Sequence, residues 1–282
     1  MNFHGDESQK DGCMMDKFCF VFLDSSNRMP YIYKYIQAES YRYDLVLWDR
    51  SSLDDDCGAE ACYRLKHHVL KKGLLGKIEK LQGYIKFSKL ASKILNENDY
   101  AGVFVFTPNS GMLIYRILQK KYKNRYVLDI RDFWMEDKKW FLNIEDKLIR
   151  NSFCTVISSE AYKRFLPKHE YILTHNTQNL ESRDIEHFRN RTKSSRKPII
   201  LACVGGIKHI EYDKRVIDYF ANDTRFELRY IGRGYDALKD YCKQKEIINV
   251  YCEGEFPMVQ TLSKYEGVDL ILNMYGNHDK YL

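Results

Sequence analysis

The sequence predicts an α/β protein with two parallel-sheet domains. Short apolar runs alternate with polar, helix-like segments along most of the chain, which is typical of parallel sheets with right-handed crossovers. A polar, charged stretch at 176–197 separates two such series. We therefore predict a disordered lead at 1–16, a first domain at 17–175, a linker at 176–197 and a second domain at 198–282.

The strands of the first domain are predicted from apolar runs rich in β-branched and aromatic residues. They lie at 18–23, 44–48, 102–106, 126–130, 153–157 and 171–174. Helical patterns begin at Tyr31 and recur at 62–95, 112–121 and 160–165. The segment 62–95 is predicted to form one long helix, interrupted near its three glycines.

The second domain shows the same rhythm, with predicted strands at 199–204, 226–231, 248–252 and 268–274. Several of these runs end in glycine, which lets the backbone approach a ligand closely. Parallel sheets bind ligands beyond the carboxyl ends of their strands. Because the sequence stops soon after the fourth run, we expect the second domain to be incomplete.

Composition limits the class of partner. The net charge of +6 is mildly basic, which fits a phosphate-bearing partner such as a nucleotide, a lipid diphosphate or an anionic membrane surface, and is too weak for a dedicated nucleic-acid binder. No secretory leader and no membrane-spanning apolar run is present, and the eight cysteines form no CxxC pair. We therefore expect a cytoplasmic protein.

Polar residues follow several strands of the first domain. The run 127–134 continues from a strand into Arg131 and Asp132. Either Asp129 or Asp132 pairs with Arg131 and anchors the loop, or a polar cluster lies in a cleft between the domains, with Arg131 and Asp132 as catalytic candidates. Other loop residues either cap helices or face an acceptor. These acceptor-side candidates are Asn109, Ser110, Ser158 and His175.

Glycines and a lysine follow the first strand of the second domain. Gly205 and Gly206 allow close approach to a phosphate, and Lys208 supplies a positive charge. The segment 232–237 reads GxGxxA, and Glu253 ends the next strand, as in dinucleotide-binding folds. This lone match does not open the first βα unit of either half, so it is weak support for NAD. The further donor-site candidates are Gly232, Arg233, Glu253 and Gly254.

The segment 63–93 carries nine Lys or Arg residues and one acid, with apolar residues near helical spacing. Such a helix either lies on an anionic membrane or packs on the core with a solvated basic face. The histidines and cysteines show no metal-ligand spacing, so we expect no metal site.

Taken in order, these segments resemble the GT-B glycosyltransferases, most closely the retaining family that includes many capsule and lipopolysaccharide sugar transferases. The likeness covers most of the chain from about Lys17 onward and depends on the order of its motifs. The matching segments are LDIRDFW at 128–134, VISSEAY at 156–162, HN at 175–176, VGGIK at 204–208, YIGRG at 230–234, VYCEG at 250–254 and YEGVDLIL at 265–272.

The resemblance implies two Rossmann-like domains, a nucleotide-sugar donor held mainly by the second, and an acceptor, often a lipid-linked saccharide, on the first. It implies no catalytic metal and no cofactor, since the nucleotide sugar is a substrate. By position, Gly206 and Lys208 would face the donor diphosphate, whose charge positive groups and helix N-termini neutralise.

Two departures from the family are visible. The family usually has a second basic residue about one helical turn after the first, and this chain has Glu211 near that position. Lys214 or Arg215 would then have to supply the positive charge. The family's two glutamates, eight residues apart after the fourth strand, have no counterpart before Leu282. We therefore expect this chain alone to transfer sugar poorly. Two alternatives remain open: a nucleotide-sugar epimerase of the same fold, and a binding module without catalysis.

Overall fold

The computed structural model describes residues 16–24, 30–36, 41–49, 56–71, 73–176, 186, 198–207, 209–257 and 260–273. The chain divides into two compact units, Met1–Asn179 and Leu180–Leu282. Each unit contains a parallel sheet, so the predicted α/β class is confirmed. The predicted lead, apart from Asp16, and most of the predicted linker lie outside the described residues, and the domain limits stay predictions.

The first unit contains seven described strands and five described α-helices. Short 3-10 helices lie at Pro30–Ile32 and Glu160–Arg164. The strands are β1 Lys17–Phe22, β2 Arg42–Asp49, β3 Ala61–Lys66, β4 Gly102–Phe106, β5 Tyr126–Ile130, β6 Cys154–Ile157 and β7 Ile172–Leu173. The helices are α1 Tyr33–Ile36, α2 Gly73–Glu97, α3 Pro108–Leu113, α4 Tyr115–Lys121 and α5 Lys139–Arg150.

The first sheet has the strand order β3-β2-β1-β4-β5-β6-β7, and its neighbouring strands pair in parallel. Its strands are apolar on both faces, because helices cover both sides. On one face Val21, Trp48 and Val105 pack in a core with Phe87 of α2. On the other, alternate strand residues such as Phe20 pack with the helical turn that precedes α1. This alternation follows from the period of two in a strand.

The long helix predicted at 62–95 is wrong in its first part. Residues Ala61–Lys66 form β3, which pairs with β2 at the edge of the sheet, and the helix α2 begins at Gly73. The local apolar spacing did not distinguish the two states, because the hydrogen bonds to β2 are a long-range interaction. Helix α3 begins at Pro108 and not at residue 112, because proline is well suited to the first turn of a helix.

The second unit has four described strands and two described α-helices, together with a 3-10 helix at Ser263–Tyr265. The strands predicted at 199–204 and 226–231 are confirmed at those limits. The elements are β8 Ile199–Val204, α6 Ile210–Phe220, β9 Phe226–Ile231, α7 Asp236–Gln244, β10 Val250–Glu253 and β11 Leu270–Ile271.

The second sheet has the strand order β10-β9-β8-β11, again with parallel pairs. Its core joins Leu201 and Leu228 of the two central strands with Ile217 of α6 and Leu238 of α7. The chain runs outward from β8 to β10 and then returns to the opposite side of β8. This reversal creates a topological switch point between β8 and β11, where a crevice opens in sheets of this kind.

Helix α5, which the sequence interpretation did not predict, carries a buried carboxyl group. Its apolar residues Phe141, Leu148 and Ile149 face the core at helical spacing. Glu145 on the same helix is fully buried, and neither of its carboxyl oxygens has a hydrogen-bond partner in the described part of the chain. Burial, with the nearby charge of Glu136, raises the pKa of Glu145 to about 8.

We expect Glu145 to make stability depend on pH. Below its ordinary pKa of 4.5 both states hold the proton, whereas between 4.5 and about 8 the unfolded chain releases it first, so the free energy of unfolding falls as pH rises. The Glu145→Gln variant removes this dependence and should be more stable above pH 8 by roughly 1–3 kcal/mol. Urea unfolding across this pH range measures the difference.

The exposed glutamate Glu160, which pairs with Lys163 across one helical turn, supplies the matched control. Its Glu160→Gln variant should change the free energy of unfolding by less than about 1 kcal/mol at every pH. Parallel pH curves for Glu145→Gln and the parent chain would contradict this account of the buried carboxyl group.

Candidate functional site

The second unit has a cavity at its topological switch point. The cavity has a volume of about 270 Å³ and lies where the carboxyl ends of β8 and β11 meet. That volume is just below the roughly 300–1,000 Å³ typical of small-molecule sites. Its lining residues are Cys203, Val204, Gly205, Gly206, Asp213, Tyr235, Tyr265, Ile271, Leu272 and Asn273.

Two glycines let the backbone pass closely beside this cavity. Gly205 and Gly232 have φ angles of +136° and +134°, which L side chains rarely adopt. A Cβ atom on Gly232 would lie 1.8 Å from the carbonyl oxygen of Gly205. The Gly205 amide donates to the Ile231 carbonyl at 2.8 Å, so this approach extends the pairing of β8 with β9. A glycine at position 232 is therefore required for the two backbone segments to pass this close to each other.

Gly206 and Arg233 are the predicted donor-site residues that meet beside the cavity. A Cβ atom on Gly206 would meet only the Arg233 guanidinium, at 3.9 Å and 4.0 Å, and is otherwise in open space. Arg233 is half exposed and lies 3.9 Å from Glu255. A positive group beside an uncovered backbone is suited to binding an anion. Lys208, predicted to share this role, lies outside the described residues.

Asp213 and Tyr235 line the cavity, and the sequence interpretation did not select them. Asp213 lies in the first turn of α6 and is 3% exposed, and burial raises its pKa while the charge of His209 opposes the rise. The Tyr235 hydroxyl lies 3.0 Å from Cys203 Sγ. An acid in the first turn of a helix is common, so its spacing carried no signal. Only the packing of α6 against the sheet places Asp213 in the cavity.

Glu253 is the last residue of β10 and Gly254 follows it, and neither residue lines this cavity. The Glu253 carboxylate lies 2.5 Å from Lys264 Nζ, so it takes part in an ion pair within the second unit. A Cβ atom on Gly254 would meet no atom within 4 Å. Their assignment to the donor site stays a prediction, and the cavity geometry does not bring them to Gly205 and Gly206.

In the first unit, Arg131 lies at the center of a buried polar cluster beyond β5. Arg131 and Asp129 are 3% and 1% exposed, and the two side chains form the ion pair that one interpretation of the sequence predicted. Nε donates to Asp129 Oδ1 at 2.5 Å and Nη2 to Asp129 Oδ2 at 2.8 Å. Desolvation raises the pKa of Asp129, and the adjacent guanidinium opposes this rise.

The remaining guanidinium donors of Arg131 also have acceptors. Nη1 donates to the Thr174 carbonyl and, at 2.9 Å, to Asn176 Oδ1, while Nη2 reaches the Tyr35 hydroxyl at 3.4 Å. The guanidinium carbon lies 4.4 Å from the centroid of the Tyr31 ring. All five N–H donors of the guanidinium are therefore engaged. This arrangement makes Arg131 a positioning residue that ties β5 to the segment after β7.

Two predicted acceptor-side residues belong to the same network. The hydroxyl groups of Ser158 and Tyr162 donate to the Arg131 carbonyl, at 3.4 Å and 2.5 Å. His175 Nδ1 lies 3.0 Å from the Ser158 carbonyl, and Lys34 donates to the His175 carbonyl at 2.6 Å. Ser158, which is distant in sequence from Arg131, thus contacts it directly, and His175 joins the network through Ser158.

Asn109 and Ser110 lie at the switch point of the first sheet, between β1 and β4. Ser110 is fully buried; its Oγ accepts from the Leu23 amide at 3.1 Å and donates to the Phe106 carbonyl at 2.6 Å. The predicted cap at Asn109 or Ser110 is wrong, because Thr107 caps α3 by accepting from the Ser110 amide. Asn109 Oδ1 is buried without a hydrogen-bond partner in the described part of the chain.

Asp132 differs from Arg131 in being exposed, directly after the buried ion pair. An exposed carboxylate on a loop that is held by a rigid buried neighbour can contact a substrate. The guanidinium of Arg131 cannot do so in the same way, because all of its N–H donors already have acceptors within the protein. The catalytic assignments of both residues stay predictions. Among the described residues, no group of three or more His, Cys, Asp or Glu side chains is placed to hold a metal ion.

The sequence matches no protein-family model and no curated protein. Solved structures share the fold at low identity. Sucrose-phosphate synthase from Thermosynechococcus elongatus is 13% identical, and the match covers 91% of this chain and 74% of that chain with a TM-score of 0.65. Anabaena HepE in complex with UDP-glucose is 12% identical over 91% and 73% of the two chains, with a TM-score of 0.54.

The MnaA–UDP complex of S. aureus is 9% identical and covers 93% of this chain and 75% of that chain, with a TM-score of 0.55. The chain has the GT-B fold. The predicted pair of Rossmann-like parallel-sheet domains is thereby confirmed. At these identities the likeness concerns the fold, and the chemistry has to be argued from the residues of this chain.

The buried ion pair predicts how the first unit responds to substitution. Arg131→Met leaves the Asp129 carboxylate buried and unpaired, so we expect a loss of roughly 3–5 kcal/mol in the free energy of unfolding. Arg131→Lys keeps the charge but supplies only three donors for five acceptors, and we expect an intermediate loss. Urea unfolding measures both.

Arg150, which pairs with Asp146 on the surface of α5, is the matched control. Arg150→Lys should leave the urea midpoint nearly unchanged, because exposed ion pairs contribute little. If Arg131→Met unfolds at the same urea concentration as the parent chain, the cluster does not stabilise the unit and a different role has to be sought for Arg131.

Proposed function

We propose that this protein is a glycosyltransferase that moves a sugar from a nucleotide-sugar donor to a lipid-linked saccharide acceptor in surface polysaccharide assembly. The observation that carries the proposal is the cavity at the switch point of the second unit, with Gly205, Gly206 and Arg233 beside it. Solved proteins of this fold include complexes with UDP and with UDP-glucose. The same kind of ligand suits a cavity that is lined in part by glycine backbone and has a cation beside it.

The donor diphosphate is proposed to lie over Gly205 and Gly206. In sugar transfer the bond between the sugar and the diphosphate breaks, and negative charge develops on the leaving oxygen. Arg233, Lys208 and the N-terminus of α6 would stabilise that charge. Asp213, whose pKa is raised by burial, would hydrogen bond a donor hydroxyl from within the cavity. The resemblance favours retention at the transferred sugar.

The acceptor is proposed to bind at the carboxyl edge of the first sheet. Asp132 and His175 are exposed there and can contact a saccharide hydroxyl. Arg131, Ser110 and Ser158 form internal hydrogen bonds and hold the loops that carry the exposed groups. Asn109 completes the proposed acceptor side. This division separates residues that touch a substrate from residues that position them.

We further propose a location in the cytoplasm, with peripheral contact between the segment 63–93 and the inner face of the cell membrane. The excess of basic residues in this segment supports the contact. Within the described part of the chain, no helix combines the length and the apolar character needed to cross a bilayer.

The Gly206→Val variant tests the donor site. Gly206 has no strained backbone angle, and only the tip of Arg233 lies near its missing side chain, so the thermal unfolding temperature should change little. The valine side chain would occupy the space proposed for the diphosphate. We expect the dissociation constant for UDP-glucose, measured by calorimetry, to rise at least about ten-fold, which corresponds to a loss of about 1.4 kcal/mol.

Gly254→Val is the matched control, because Gly254 also faces open space but does not line the cavity. We expect it to bind UDP-glucose as the parent chain does. Equal weakening by both substitutions would place the donor elsewhere along this edge of the sheet. Unchanged binding by Gly206→Val would remove the cavity as the donor site.

A turnover assay separates sugar transfer from the alternatives. The chain is incubated with UDP- and GDP-sugars, with and without a polyprenyl-diphosphate-linked saccharide. Lengthening of the saccharide supports the transferase. A changed sugar epimer in the absence of acceptor supports an epimerase, and binding without any product supports a module that holds nucleotides. If none of these nucleotide sugars binds, the proposal fails at its first step.

A further inference from the structure

Helix α2 has a second apolar face that points to solvent. One side of the helix packs in the core through Phe87, Ala91 and Ile94. Helical geometry places another set of apolar residues on the opposite side, at spacings of four and three. These residues, here called the outer stripe, are Leu74, Ile78, Leu81 and Ile85, which are 74%, 46%, 58% and 49% exposed.

The outer stripe continues along the helix into a groove. Ser88 and Ser92 follow Ile85 at the same spacing, and both line a groove of about 510 Å³ bounded by α2, the α3–α4 segment and α5. Apolar side chains of Leu113 and Ile144 line part of this groove, together with two cations. The cations are Arg116 and Lys147.

Lysines flank the outer stripe on both sides. At 100° per residue, Lys77 lies on one flank and Lys89 on the other, with Lys93 and Lys86 farther round the helix on the side of Lys89. Between 73 and 93 the only acidic residue is Glu79, and it lies away from the stripe. Its carboxylate accepts hydrogen bonds from the amides of Leu70 and Lys71, each at 3.0 Å, in the segment just before the helix begins.

This charge pattern decides between two occupants of the stripe. The heptad spacing suits a helix from a second copy of the chain, but in a symmetric pair the flanking Lys77 and Lys89 would face lysines. The two acids of α2 are engaged elsewhere, Glu79 with the amides of Leu70 and Lys71 and Glu97 with Lys93. An anionic bilayer offers apolar chains for the stripe and negative headgroups for both flanks. The complementarity of charge therefore favours the bilayer.

We propose that the outer stripe of α2 docks on an anionic lipid surface. The helix lies in the plane of the interface, with the four apolar side chains among the upper acyl chains and the lysines beside lipid phosphates. Arg116 and Lys147, which line the groove at the end of the stripe, bind the phosphate of an anionic lipid headgroup. This docking rests on the peripheral membrane contact proposed above for the segment 63–93 and assigns that contact to one face of α2. It is measured without any donor, so its failure would leave the proposed donor site standing.

Vesicle co-sedimentation tests the docking on the full chain. One set of vesicles contains phosphatidylcholine alone, and the other contains phosphatidylcholine mixed with phosphatidylglycerol. We expect binding to the mixed vesicles, and we expect it to weaken steeply as salt is added, because screening reduces the attraction of exposed charges. Binding to both kinds of vesicle with equal affinity, or to neither, would overturn the proposal.

Paired variants separate the apolar and the charged contributions. The double substitution Lys77→Gln and Lys89→Gln should lower binding to mixed vesicles roughly thirty-fold, since each lysine near the surface contributes about five-fold. Leu81→Gln with Ile85→Gln should lower it at least about ten-fold by removing inserted side chains. Because all four residues are exposed, thermal unfolding should be unchanged, and this is measured alongside.

Controls come from the second unit, where Ile248 is 78% exposed and Lys239 and Lys243 are exposed on α7. Ile248→Gln and the double substitution Lys239→Gln with Lys243→Gln should leave vesicle binding unchanged. If these controls lose as much vesicle binding as the α2 variants, the binding depends on overall charge and apolar exposure, and the assignment to α2 is overturned. If the chain does not bind vesicles but self-associates as its concentration rises, and the stripe variants abolish that association, the stripe would be assigned to a second copy of the chain.

Discussion

Both units depend on the constraint that parallel strands must be joined by crossovers that run the length of the sheet. All strands of a sheet therefore end at one edge, and a reversal of strand order leaves a crevice there. In the second unit the reversal lies between β8 and β11, where Gly205 and Gly206 meet the cavity. In the first it lies between β1 and β4, where Ser110 holds the Leu23 amide. The loop residues that can bind a ligand are therefore gathered at the carboxyl edge of each sheet.

The polar edge of the first unit shows why a charged residue after a strand need not act on a substrate. Arg131 has the sequence features of a catalytic group, yet its guanidinium is buried and bonded to four different partners. Such a residue stabilises the loops and fixes the position of Asp132, which is exposed. Burying an ion pair is favourable only when its hydrogen bonds are satisfied, and this cluster meets that condition.

Helix α2 explains why the basic segment 63–93 was ambiguous. Both interpretations of the sequence apply to different faces of one helix, because Phe87 and Ala91 pack on the core while Leu81 and Ile85 are exposed. Apolar residues all round a helix normally indicate a fully buried element. Here the lysines between the two apolar faces keep the outer one at the surface, and the groove beside Ser92 continues it.

The amino-acid sequence by itself determined the fold class, most of the strands and the glycine turns after β8 and β9, because apolar runs, chain period and the φ freedom of glycine are local properties. It also indicated an ion pair of Arg131 with either Asp129 or Asp132, and the structure selected Asp129. Only the tertiary structure decided that 61–66 is an edge strand, that Asp213 lines the cavity, and that Ser158 contacts Arg131 while His175 contacts Ser158. Those results depend on strand order and helix packing, which bring together residues far apart in the chain. The local spacing of apolar and polar residues does not reveal such long-range contacts.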